Sequence, residues 1–117
     1  MTNINKKQLD EYLDIFGKSK MQGLLKDYLA QSTKSWETLD KISDNEKKQV
    51  FHCWRSSSLV FGMEDFSQIC TKIEDDLQNN RLTKVKKLIP ESQECYQKSI
   101  LKVIEILQER NNEYSQQ

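Results

Sequence analysis

Apolar residues recur along this chain three and four positions apart, the spacing that lays one stripe along an α-helix. Leu9, Leu13 and Phe16 predict a short first helix over Lys6–Phe16, with Gly17 as its stop. A second helix runs from Lys18 to about Ile42, with Leu24, Leu25, Tyr28, Leu29, Trp36 and Leu39 inward and Gly23 weakening its start. The third is expected to take Asp44 as N-cap, with Lys47 where a capping box would place an acid, and to end at Gly62. Its inward stripe is Val50, Phe51, Trp54, Ser58 and Phe61. The fourth opens on Glu64 and Asp65, acids suited to a positive helix N-terminus. It continues through Phe66, Ile69, Cys70, Ile73 and Leu77 and stops at Asn79 and Asn80. The basic run RLTKVKKLI then reads as a short connecting turn of helix, and Pro90 as the first position of a last helix with Tyr96, Ile100, Val103, Ile104 and Leu107 inward. The polar tail beyond Asn111 is expected to fray.

The expected fold is all-α, an antiparallel four-helix bundle with a short extra N-terminal helix, in a single domain over residues 1–117. Three glycines and one proline in 117 residues leave too few turn residues for a sheet protein, and 31% charged residues suit the outer faces of a small bundle. Because such a bundle buries its own stripes, a monomer is expected. Lysine plus arginine equals aspartate plus glutamate, so nothing favours nonspecific nucleic-acid binding. No apolar run is long enough to cross a bilayer, and the opening MTNINKKQLDEY lacks a signal-peptide core, which predicts a cytoplasmic protein with no membrane partner. Cys53, Cys70 and Cys95 are odd in number, widely spaced and without a CxxC pair. They read as reduced, packed thiols, with no metal site.

The only histidine, His52, changes the picture. At 100° per residue the apolar stripe of the third helix lies on the opposite side from it. On its own face stand Asn45, Lys48, Arg55, Ser56 and Leu59, so the wheel places an imidazole among two cations, small polar groups and an exposed leucine. On the wheel alone a surface histidine without a role is the simpler reading.

The wider run reverses that preference. HCWRSSSLVFGMEDFSQICTKIEDDL resembles the signature of histidine-containing phosphotransfer (HPt) domains, the phosphate carriers of two-component phosphorelays. That signature has a histidine, a basic residue three later, small residues from the fourth onward and a glycine at the tenth. Here these are His52, Arg55, Ser56 to Ser58, and Gly62 as a structural turn residue. The next helix, MEDFSQICTKIE, has the acidic start, apolar spacing and terminal acid of the family pattern. The chain departs from it at Arg55 and Ser56, where the family usually has lysine and glycine; arginine keeps the charge in a planar fork.

The resemblance implies that His52 accepts a phosphoryl group from a receiver-domain aspartate and passes it to another response regulator. A histidine of ordinary pKa, about 6.5, is largely neutral and nucleophilic near neutral pH. Arg55 would neutralise charge on the transferred oxygens, and Glu74, twenty-two residues on, would orient the imidazole. Lys48, Ser56 and Leu59 would form the receiver docking contact. Mg²⁺ is expected on the partner receiver and no cofactor on this chain, which is therefore expected to be a phosphocarrier rather than an enzyme. A hybrid sensor histidine kinase would be an upstream partner. The alternative from another class is a helical docking module that binds and sequesters a response regulator without carrying phosphate. A histidine-kinase dimerisation domain is disfavoured, since neither a proline nor an acid follows His52 in that family's manner and no glycine-rich nucleotide loop is present.

Overall fold

A computed structural model describes the backbone of residues 3–115 and the side chains through residue 110. The described chain is all-helical: α1 (Lys6–Phe16), α2 (Lys18–Thr38), α3 (Asp44–Ser57), α4 (Glu64–Gln78) and α5 (Leu82–Ser115). Short 3₁₀ turns follow α2 at Leu39–Lys41 and α3 at Ser58–Phe61.

The ends of these helices follow from local hydrogen bonding. Asn5 caps α1, its side chain accepting from the Gln8 amide at 3.0 Å. α2 stops at Thr38 rather than Ile42, because the chain tightens into a 3₁₀ turn that keeps Leu39 buried. The cap of α3 is Ser43, not Asp44. Ser43 Oγ accepts from the Glu46 amide at 3.2 Å while the Glu46 carboxylate reaches back to the Ser43 amide, completing a capping box that Lys47 had obscured in the sequence. Asp44 thereby falls in the first turn, facing the positive end of the helix dipole.

The largest departure from expectation is at Pro90, which sits inside α5 instead of opening it. Proline there forfeits the hydrogen bond to the Lys86 carbonyl. Both residues are exposed, so the loss falls on the water side. Val85 is buried and Leu88 and Ile89 pack against the core, which holds RLTKVKKLI helical. Arg81 anchors this start: its Nε donates to Asp76 Oδ1 at 2.7 Å and its backbone amide to the Asp76 carbonyl at 2.8 Å. The hydrogen bond to Asp76 raises the Arg81 guanidinium pKa further. Helical backbone also continues past Asn111 to Ser115, where fraying was expected; residues 116 and 117 lie outside the described chain.

Aromatic side chains join the helices. Between α2 and α3 with its 3₁₀ extension, Tyr28 meets Phe61 and Ser58, while Trp36 meets Phe51 and Trp54. On α3 and α4, Lys48 meets Gln78, His52 meets Glu74 and Arg55 meets Ser67. In both pairs one index falls as the other rises, so the helices run antiparallel. α5 joins through Tyr96, whose ring lies 5.3–6.4 Å from those of Tyr28, Trp36, Trp54 and Phe66. The hydroxyls buried with these rings are partnered, Tyr28 with Ser58 at 2.7 Å and Tyr96 with Ser32. Burial pushes both phenols upward, so they remain neutral. Cys70 and Cys95 are buried as expected, whereas Cys53 is exposed; none of the three is in a disulfide. Burial raises the Cys70 thiol as well, keeping it protonated.

Gly62 closes the turn between α3 and α4 in the left-handed conformation, with φ 71° and ψ 18°. Its carbonyl accepts from the Asn5 amide at 2.8 Å, and a Cβ at this position would stand 2.5 Å from the Asn5 carbonyl oxygen. The strand-like lead into α1 is thereby seated on the turn, with Asn5 Nδ2 donating to Glu64 at 2.7 Å and the Asn3 amide to Asp65 at 2.8 Å. Gly62→Ala is therefore expected to lower stability by about 2 kcal/mol or more, from the left-handed backbone and the backbone collision together. Ser43→Ala should cost about 1 kcal/mol. Urea unfolding followed by circular dichroism measures both.

Candidate functional site

Phe51 and Trp54, 0% and 6% exposed, set the rotation of α3 about its axis. With those rings inward, Lys48, His52 and Arg55 emerge along the seam with α4. The two helices are tied at this level by Ser67 Oγ, which donates to the Arg55 carbonyl at 2.6 Å. On α4, buried Ile73 and Leu77 leave Glu74 at the edge of the core, its side chain 17% exposed and turned toward α3.

The central contact is His52 Nδ1 to Glu74 Oε1 at 2.9 Å. A carboxylate only accepts, so the nitrogen facing it carries the proton. Arg55 Nη2 lies 3.3 Å from the same Nδ1, but guanidinium only donates, and a protonated Nδ1 has no lone pair to offer it. Arg55 is instead held by charge, with Nη1 3.6 Å from Glu74 Oε2. That oxygen is buried and has no partner at hydrogen-bonding distance among the described residues, so the guanidinium 3.6 Å away is its electrostatic compensation.

Protonation at Nδ1 leaves Nε2 with its lone pair. Among the described residues Nε2 has no hydrogen-bond partner, and the imidazole side chain is 51% exposed. The arrangement offers an outward-facing nucleophilic nitrogen, a cation within reach of it, and a carboxylate that stabilises positive charge on the ring as the nitrogen reacts.

The other residues singled out from the sequence are distributed around this centre. Ser56 is exposed one turn after His52. Lys48 is half-buried, its ammonium donating to Gln78 Oε1. Leu59 is half-buried rather than exposed. It lies in the 3₁₀ turn Ser58–Phe61, against which α1 and α4 both pack, and a wheel of one helix cannot show that cover. Gly62 lies at the turn beyond. Sequence reasoning passed over Ser67 and Gln78. The signal for Gln78 was present, since it stands four residues after Glu74 and so on the same face of α4.

Between α2 and α3 lies an open groove of about 700 Å³, lined by Leu24, Tyr28, Val50 and Phe61 among others, with Cys53 also contributing. Among the described residues no group of three His, Cys, Asp or Glu side chains is placed to hold a metal ion. No described helix is long and apolar enough to cross a membrane. No protein-family model, curated protein or solved structure matches this chain.

If Glu74 sets the ring, ¹⁵N spectra of the wild type above the imidazole titration should show His52 protonated at Nδ1. In Glu74→Ala the Nε2–H tautomer should gain population. Equal tautomer populations in the two proteins would show that the carboxylate does not orient the ring.

Proposed function

We propose that the chain is a histidine phosphotransfer protein, with His52 accepting a phosphoryl group from a receiver-domain aspartate and passing it to another response regulator. The observation that carries this reading is the Nδ1 contact with Glu74, which reserves Nε2 on a half-exposed ring for reaction. The antiparallel pairing of α2 with α3 and of α3 with α4 supports an antiparallel four-helix bundle of α2 to α5, with α1 as the extra helix. A cytoplasmic monomer that borrows Mg²⁺ from its receiver partners, and draws phosphate from a hybrid sensor histidine kinase upstream, completes the same proposal.

In the transfer the Nε2 lone pair forms a bond to phosphorus as the bond from phosphorus to the aspartate oxygen breaks, releasing a carboxylate. The ring becomes cationic and keeps its Nδ1 proton, which Glu74 holds by a charge-assisted hydrogen bond. Arg55, 39% exposed and only loosely paired at 3.6 Å, can swing from Glu74 to the incoming oxygens, where charge accumulates in a loose transition state. The planar fork then contacts two oxygens at once. The chain needs no catalytic centre of its own for this chemistry, so little activity is expected without a receiver.

A second reading is a docking module that sequesters a response regulator without carrying phosphate. The groove between α2 and α3 favours it, because it places apolar surface on the same helix as His52 and Arg55. Transfer from a ³²P-labelled receiver separates the two. The phosphocarrier reading predicts acid-labile, base-stable label on the wild type, none on His52→Gln, and transfer slowed about ten- to hundredfold in Arg55→Ala through loss of a charged hydrogen bond. Receivers that bind but leave the wild type unlabelled would instead establish the docking module.

A further inference from the structure

Lys48 is half-buried where most lysines of this chain are exposed, and its ammonium is bound across the seam by Gln78 Oε1. Lys48 stands one turn before His52 on α3, and Gln78 one turn after Glu74 on α4. The Lys48–Gln78 pair is therefore a second rung, about 6 Å along the seam from the His52–Glu74 rung.

The direction of side chains on helices decides what that rung does. Each side chain leans toward the N-terminus of its own helix. Lys48 by itself would lean away from His52. Gln78, on the antiparallel helix, leans toward Glu74, so the amide oxygen that binds the ammonium is presented from the side of the His52 rung. The two cations beside His52 also differ in charge environment. Arg55 has a carboxylate oxygen 3.6 Å away, whereas Lys48 is held by a neutral amide and has no carboxylate within ion-pair distance among the described residues.

Resting on the phosphocarrier reading above, we infer that Gln78 is a positioning residue that holds Lys48 as a second, unneutralised cation for the phosphoryl group on His52. An amide suits this role because it fixes the ammonium without cancelling its charge. A glutamate at position 78 would keep the hydrogen bond and neutralise the cation.

The step can be followed without an identified partner by using phosphoramidate. The Nε2 lone pair bonds to phosphorus, the phosphorus–nitrogen bond of the reagent breaks, and ammonia leaves. The rate of phosphohistidine formation would be measured by ³¹P spectroscopy for the full chain and for Lys48→Met, Gln78→Leu, the double variant and Gln78→Glu. Lys48→Met, Gln78→Leu and Gln78→Glu should each slow the reaction about two- to fivefold, the range of one partly exposed ion contact. Gln78→Leu should add nothing in the Lys48→Met background, since Gln78 acts through Lys48. The losses in Lys48→Met and Gln78→Leu should shrink as salt is raised, which a purely structural role would not produce. Label on His52 at rates indifferent to Gln78, or independent and multiplicative losses in the double variant, would overturn the inference and leave the phosphocarrier reading standing. No label on His52 in the wild type would overturn both.

Discussion

One cluster of aromatic rings determines where everything else in this molecule lies. Trp36 from α2, Phe51 and Trp54 from α3, Phe66 from α4 and Tyr96 from α5 meet with ring centroids 4.5–6.4 Å apart. Each ring removes enough apolar surface from water to contribute about 1.5–3 kcal/mol, and tilted or edge-on ring pairs add to that. None of α2 to α5 can rotate about its axis without withdrawing a ring from the cluster. For α3 this is decisive, because Phe51 and Trp54 bracket His52 in the sequence and together define which way the imidazole must face.

A polar seam is layered on that apolar constraint. Along the α3–α4 contact two basic groups on α3 face acceptors on α4, Lys48 facing Gln78 and His52 facing Glu74, while the Ser67 hydroxyl on α4 donates to the Arg55 carbonyl on α3. Such contacts are individually modest at a half-exposed edge, so they do not hold the fold together. They act on chemistry instead, by choosing which imidazole nitrogen carries the proton and where the nearby charges rest. The turn at Gly62, seated against the backbone of Asn5, keeps the two helices in register at the other end of the seam. Packing supplies the orientation, and the seam supplies the hydrogen bonds around the imidazole.

The sequence was most legible where one physical signal dominated. α1 was read from Lys6 to Phe16, as observed, because the apolar positions Leu9, Leu13 and Phe16 and a glycine stop agree with each other. The phase of α3 followed from Phe51 and Trp54, and with it the outward placement of His52 and Arg55. Reading failed where two signals competed. Pro90 argued for a helix start, yet burial of Val85 with Leu88 and Ile89 outweighed one exposed backbone hydrogen bond. Adjacent Ser43 and Asp44 are both good caps, and the Glu46 three residues after Ser43 decides between them. Leu59 was misplaced because a helical wheel shows one helix alone, whereas α1 and α4 both pack against the 3₁₀ turn at Ser58–Phe61. The identity of Glu74 as the partner of His52 came from the resemblance; its 2.9 Å contact and the neighbouring rung at Gln78 required the packing of α4 to be known.

The account turns on Glu74 leaving Nε2 of His52 as the reacting atom. The most direct test is to phosphorylate ¹⁵N-histidine-labelled protein from a receiver and observe which ring nitrogen couples to phosphorus. Coupling to Nε2, with the proton retained on Nδ1, is the predicted result. Coupling to Nδ1, or a phosphoryl group on any residue other than His52, would contradict it.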